Sequence, residues 1–184
     1  MLATFTNVAF KSIKTVGSVY PSSKFLVRKM IQQVDQNSSG VVIELGTGTG
    51  VITKEILLCL AVKAQLHSVE LSEDFIAFTR AKQWAQDSRL VLYQDSAFNF
   101  MKQTKALTIK PNVIVSSLPL AILPKVDVMR MLVNCRSVLA ENGTFIQYQY
   151  SPKSLGLLKR VFRKVIVGFE GRNFPPALVY TCYK

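Results

Sequence analysis

Residues Val41 to Gly50 read VVIELGTGTG, and no other stretch constrains the fold as tightly. Val41-Val42-Ile43 is a β-branched run, too brief for a helix and suited to a strand buried on both faces. Gly46, Gly48 and Gly50 follow at once, and Val51, Ile52, Ile56, Leu57 and Leu60 then open a helical pattern to about residue 61. Strand, glycine turn and helix begin a βαβ unit. The glycines let the chain turn sharply and bring backbone N–H groups, with the helix N-terminus, close to a ligand.

The kind of ligand follows from the flanking residues. The third glycine comes one place too early for the GxGxxG dinucleotide fingerprint, and no Gly-Lys-Ser/Thr follows, so this is not a triphosphate loop. Glu44, just before the first glycine, would repel a phosphate and suits a ligand carrying positive charge. Glu70 closes the apolar segment Leu66–Val69, where a carboxylate can accept both hydroxyls of a ribose. The alternative is a glycine-rich turn between core elements. Acid-Leu-Gly-x-Gly-x-Gly with a later strand-end acid resembles the cofactor site of the class I S-adenosylmethionine methyltransferases. That resemblance implies cofactor contacts from Glu44, Gly46, Thr47, Gly48, Gly50, Glu70, Leu71, Asp95, Ser96 and Ser116, with S-adenosylhomocysteine as the product.

The remaining elements alternate. Ser72 caps a helix expected to reach about Gln86, and Leu90–Tyr93 is a third strand ending at Asp95, which can accept from an adenine amino group or, with Ser96, cap the next helix. Val113–Val115 is a fourth strand, Lys125–Ala140 a helix stopped by Asn142-Gly143, and Thr144–Tyr150 a fifth strand. A short basic helix runs from Pro152 to about Arg160, and Val161–Phe169 with Ala177–Tyr183 form a closing hairpin. The expected fold is α/β: a doubly wound, Rossmann-like class I methyltransferase sheet with a C-terminal antiparallel hairpin and N-terminal amphipathic helices.

Charge adds a second constraint. The chain has 184 residues, enough for one domain, and its 23 Lys and Arg outnumber 11 Asp and Glu. The surplus is +4 over residues 1–39, +2 over 40–150 and +6 over 151–184, so a balanced centre carries basic ends. Basic ends suit an anionic partner, lipid head groups or nucleic acid. Cys59, Cys135 and Cys182 are few and scattered, a cytosolic pattern without metal-ligand spacing, so no metal is expected. His67 lies inside a strand and reads as a packed residue. No apolar run approaches the ~18 residues of a membrane span, and no signal peptide is evident. Leu2, Phe5, Ala9, Ile13 and Val16 fall within about 80° of arc on a helix, with Lys11 and Lys14 opposite. That helix either packs on the core or lies in the head-group layer of a bilayer.

Five runs in series narrow the family: TVGSVYPSS (Thr15–Ser23), ELGTGTG, VIVSSLPL (Val113–Leu120), FIQYQYSP (Phe145–Pro152) and RNFPPALVY (Arg172–Tyr180). Together they resemble the bacterial phospholipid N-methyltransferases (phosphatidylethanolamine N-methyltransferases), whose relatives methylate ornithine lipids and whose fold is related to the rRNA adenine dimethylases. Thr47 stands where that family often has Pro, and Val179-Tyr180 where it often has Val-Trp. The resemblance implies stepwise N-methylation of an aminophospholipid head group, by a cytoplasmic enzyme held peripherally at the inner face of the membrane. It also favours membrane contact by the first helix. Residues 1–36 are then helices covering the site and touching the membrane, and 37–184 the S-adenosylmethionine-binding domain of a single globular unit.

The methyl acceptor is expected at the loop after the fourth strand, Ser116-Ser117-Leu118-Pro119-Leu120. Adenine methyltransferases resemble Asn-x-Pro-Tyr there; Ser117 and Leu120 replace the amide and the stacking aromatic, which counts against a nucleobase. Nucleic acid therefore stays as the alternative partner, and an inert binding module as a third reading. Ser116, Ser117, Tyr148 and Tyr150 are the candidate catalytic residues. Tyr20, Ser22, Ser23, Leu118, Arg172 and Asn173 are candidates for the substrate, with Arg172 for the lipid phosphate and aromatic faces for the methylated cation.

Overall fold

The computed structural model describes residues 22–32, 34, 40–104 and 110–184. The Leu2–Val16 segment and Tyr20 lie outside the described residues. Five strands run parallel: β1 (Val41–Leu45), β2 (Gln65–Glu70), β3 (Leu90–Gln94), β4 (Pro111–Ser116) and β5 (Thr144–Gln149). β6 (Lys164–Glu170) and β7 (Ala177–Tyr183) close the sheet as an antiparallel hairpin, with β7 pairing β5. The order is β3-β2-β1-β4-β5-β7-β6. Strand order reverses beside β1, so a crevice opens at the carboxyl ends of β1 and β4, the place where sheets of this kind take ligands.

Among the described residues six helices cover the sheet: α1 (Lys24–Ile31), α2 (Val51–Cys59), α3 (Glu73–Arg80), α4 (Ala97–Gln103), α5 (Lys125–Val138) and α6 (Leu155–Val161). All five β1 residues are buried because helices lie over both faces. Val42, Val113, Val115 and Ile146 pack with Leu26 and Met30 of α1 and Ile52 and Ile56 of α2. Their neighbours Ile43, Leu45, Ile114 and Phe145 point the other way, against Met101 of α4, Met131 and Leu132 of α5 and Leu158 of α6. The period-2 alternation of each strand thus feeds two separate cores.

Three boundaries differ from expectation, each for a local reason. The helix expected over 72–86 stops at Arg80, because Lys82 is extended (φ −85°, ψ 140°) and a 3-10 turn, Gln83–Gln86, follows. That turn carries Trp84 back over Gly50. Helix α2 ends at Cys59 with Leu60 extended, and Arg89 donates to the freed carbonyls of Leu57 (3.0 Å) and Leu60 (2.5 Å). Asp87 grips the same guanidinium at 2.6 and 3.0 Å. The hairpin begins at Lys164 rather than Val161, since Val161 and Phe162 are buried with α6. Among the described residues, no helix is long and apolar enough to cross a membrane.

Candidate functional site

Gly46, Gly48 and Gly50 all hold positive φ, at 88°, 54° and 78°, a region where side chains are strained. Two of them are also packed. A Cβ on Gly46 would lie 2.5 Å from Ser117 Oγ, and one on Gly50 would lie 2.5 Å from the Trp84 ring. Gly48 is different: nothing stands within 4 Å of its missing Cβ, so its bare backbone faces open space. The turn is pinned by Gly46 N–H donating to Val69 O at 2.9 Å, and Gly50 caps α2 without any side-chain acceptor.

Glu70 is 3% exposed, and its two oxygens accept from Gly48 N–H (2.9 Å) and Ser72 N–H (2.8 Å). Each oxygen keeps a second lone pair, so the carboxylate is aimed at the open backbone of Gly48 with acceptor capacity to spare. Leu71, beside it, is half-buried. Asp95 N–H bonds Glu70 O at 3.0 Å, which ties the ends of β2 and β3 together. The Asp95 carboxylate accepts from Ser96 N–H (2.7 Å) and from the Asn99 amide (3.0 Å), and Ser96 Oγ caps α4 through Asn99 N–H.

Glu44 lies on the α2 side of β1, 1% exposed. It sits beneath the glycine turn, its side chain turned towards α2. Its Oε2 accepts from Thr53 Oγ1 (2.7 Å) and Ser68 Oγ (2.6 Å), while Oε1 has no partner. Burial pushes this carboxyl up to about 7, against the pull of the Ser68 and Thr53 hydroxyls. Thr47 Oγ1 is likewise buried and unpartnered. Unmatched buried oxygens under an open glycine backbone fit a cationic, hydroxyl-bearing ligand such as S-adenosylmethionine better than a phosphate.

The loop after β4 is locked to the same turn. Ser117 N–H donates to Leu45 O (3.0 Å) and Ser117 Oγ to Gly46 O (2.6 Å), so this hydroxyl points into the glycine turn rather than outward. Ser116 is fully buried, its Oγ 3.4 Å from Leu118 N. The Leu118 carbonyl receives two amides, Gln147 Nε2 at 3.0 Å and Gln149 Nε2 at 2.8 Å. Gln149 also accepts from Ala121 N–H (3.3 Å), and Gln147 Oε1 is buried without a partner. Sequence reasoning missed these glutamines as site residues. Their signal was an amide pair on the same side of a strand as Phe145, a position that calls for apolar side chains.

At the end of β5, the Tyr148 and Tyr150 rings meet edge to face at 5.6 Å, and the Ser22 hydroxyl bonds the Tyr148 phenol. Burial raises Tyr148 above the ordinary phenol range. Ser23 caps α1, and its N–H donates to Asn173 Oδ1 at 2.9 Å, so the start of α1 and the β6–β7 turn come together. Arg172, the candidate for the lipid phosphate, is partly engaged within its own turn. Its Nε and Nη2 donate to Glu170 at 2.8 and 3.0 Å, and its guanidinium lies 4.0 Å over the Phe25 ring. The short turn folds the arginine onto its own strand, and Arg172 in turn holds Glu170 down to about 2. His67 stacks on Tyr93 with ring centroids 5.6 Å apart, and its Nδ1 shares a hydrogen bond with the Tyr93 hydroxyl (2.9 Å). Among the described residues no group of side chains could hold a metal ion.

Comparison with known proteins agrees with this geometry. Residues 42–143 match the family described as Methyltransferase domain. The ornithine lipid N-methyltransferase of Singulisphaera acidiphila is 30% identical over 183 residues, 97% of this chain and 93% of that protein. A ribosomal RNA small subunit methyltransferase A of Laribacter hongkongensis is 32% identical over 87 residues, 47% of this chain and 31% of that protein. In solved structures, the N-methyltransferase NodS of Bradyrhizobium japonicum, in complex with S-adenosylhomocysteine, superposes with TM-score 0.68 at 12% identity, covering 86% of this chain and 83% of that one. A S-adenosylmethionine-dependent methyltransferase of Agrobacterium tumefaciens gives 0.68 at 16% identity, with 85% and 60% covered. Sheet order, glycine turn and sequence together place the chain among the class I S-adenosylmethionine-dependent methyltransferases. Within them it is an N-methyltransferase, of the family that includes the Singulisphaera protein, and S-adenosylmethionine is its cofactor.

Proposed function

We propose that this enzyme N-methylates the head-group amine of a membrane aminolipid, phosphatidylethanolamine and its methylated derivatives or an ornithine lipid. The observation that carries the reading is the Singulisphaera relative, aligned over nearly the full length of both chains. In this reading the enzyme works peripherally at the cytoplasmic face of the membrane. The basic surplus of the last 34 residues, +6, supports contact with an anionic leaflet.

The site residues then divide the work. Glu70 accepts the ribose hydroxyls at the bare backbone of Gly48, beside Leu71, and Asp95 with Ser96 meets the adenine. Glu44 and Thr47 offer their unmatched oxygens to the amino-acid end, and Gly46, Gly50 and Ser116 shape the turn. Bound there, S-adenosylmethionine supplies an electrophilic methyl group. The acceptor amine must lose a proton before its nitrogen can attack. Tyr148 keeps its own proton at working pH, because burial raises it, so it positions the amine with Ser22 and Tyr150 rather than acting as base. Water takes the proton. Ser117 holds the loop that carries Leu118 against the glycine turn, and Ser23 with Asn173 holds the mouth. Catalysis is then placement and desolvation.

A second reading, methylation of rRNA adenine, is favoured by the partial rRNA methyltransferase relatives and by the basic charge. Against it stands Leu120, an aliphatic residue 2% exposed where a stacking ring is needed. Labelled S-adenosylmethionine offered with vesicles of phosphatidylethanolamine, vesicles of ornithine lipid, or unmodified rRNA separates the readings. Label is expected in lipid; label in RNA alone would overturn the proposal.

A further inference from the structure

The rim of the sheet at the carboxyl ends of its parallel strands has two unlike halves. Over β2 and β3 it is polar and acidic, with Glu73 and Asp74 exposed and Asp95 half-buried. Over β4, β5 and the hairpin it is apolar and basic. Ile122 and Val126 follow β4 at 60% and 62% exposed, and Phe169 and Phe174 flank the β6–β7 turn at 63% and 70%. Pro175 and Pro176 are exposed beside them. These segments form one surface. Gln149 ties Ala121 to the end of β5, and Asn173 ties the hairpin turn to the start of α1.

The charges on this half share a sign. Lys24, Lys125 and Lys153 are exposed. Among the described residues its acids are already matched: Glu170 is 3% exposed and bonded to Arg172, and Asp127 lies 3.9 Å from Arg130. Large apolar side chains held out in water, ringed by unopposed lysines, complement an anionic surface with an apolar layer beneath. A nucleic acid would use the lysines and leave the apolar side chains wet.

We infer that this half-rim is the surface by which the enzyme docks on an anionic phospholipid bilayer, with Ile122, Val126 and Phe174 inserted at head-group level. The inference rests on the aminolipid reading. It makes the approach two-sided: the lipid enters between the β4–α5 loop and the β6–β7 turn, and the nucleoside lies on the acidic side, in water.

The test compares the full chain with two variants, I122S/V126S/F174S and K125E/K153E. Co-sedimentation with phosphatidylcholine–phosphatidylglycerol vesicles should weaken roughly tenfold or more for the first. It should weaken at least about fivefold per lysine for the second. Both variants should keep the parent thermal midpoint and the parent rate on a short-chain, water-soluble phosphatidylethanolamine. In a third variant, Ile122→Trp, the emission added over that of the parent's Trp84 should shift to the blue on vesicles and be quenched by brominated lipid. Unchanged vesicle binding in the triple variant, or an unquenched tryptophan, overturns the inference; so does equal loss on soluble lipid, which would mean that the changes damage the site. If the parent methylates neither lipid, the substrate reading fails, while vesicle binding still decides the surface.

Discussion

Replacing Glu44 by Gln tests the physics of the buried acid directly. The Glu44 carboxyl titrates near 7 instead of its ordinary 4.5, because burial disfavours the charge. At about 1.4 kcal/mol per pH unit, ionising it in the folded state costs roughly 3 kcal/mol. The sign follows from proton counts. Between pH 4.5 and about 7 the folded chain keeps a proton that the unfolded chain has released, so stability falls as pH rises through that window and then levels off. Glutamine keeps an oxygen for Thr53 and Ser68 and puts an amide N–H where the protonated acid puts an unmatched O–H. The variant should therefore match the parent near pH 4.5 and exceed it by up to ~3 kcal/mol at about pH 8. Urea denaturation of both proteins across that range, without cofactor, reads the difference. A constant offset between the two curves, or a less stable variant at the alkaline end, would refute the buried-charge account. Calorimetry with S-adenosylmethionine adds a check on role: the glutamine, lacking the charge, should bind the cationic cofactor more weakly.

Other expectations are local. Glu70→Ala should weaken cofactor binding about tenfold or more by calorimetry, since it removes a charged acceptor; liposome binding should not change, and loss of both together would point to misfolding. Gly50→Ala should lower the thermal midpoint more than Gly48→Ala, because only the former meets Trp84 as well as a strained φ, whereas Gly48→Ala should cost mainly cofactor affinity. Arg89→Ala frees two carbonyls at the end of α2 and should destabilise by about 1–3 kcal/mol in urea melts, with no effect on KM for cofactor. Gln149→Leu removes one of the two amides on Leu118 O and should lower kcat in the label-transfer assay while cofactor affinity holds.

The main features of the fold were legible because they depend on patterns that survive without three-dimensional context. Val41–Ile43 is a short β-branched run buried on both faces, and Gly46–Gly50 can follow only as a turn. What stayed hidden depends on partners distant in sequence. Nothing local says that Ser117 turns towards Gly46, 71 residues away, or that Trp84, past the end of α3, covers Gly50. Arg172 is instructive in the other direction. A basic residue in a turn invites assignment to an anionic ligand, and nothing local says that Glu170, two residues earlier, also meets the guanidinium. The buried glutamines were visible as letters, but their task was not, because it is set by a carbonyl in the loop after β4.

That carbonyl has a consequence for selectivity. With two side-chain amides and the Leu120 N–H (2.9 Å) on it, Leu118 O has no lone pair left to count the hydrogens of an incoming amine. A pocket that graded its guest by N–H donation would let go after the first methyl arrived. In the proposed reading the faces of Tyr148 and Tyr150 attract the nitrogen's charge instead, and that attraction does not diminish as hydrogens are exchanged for carbon.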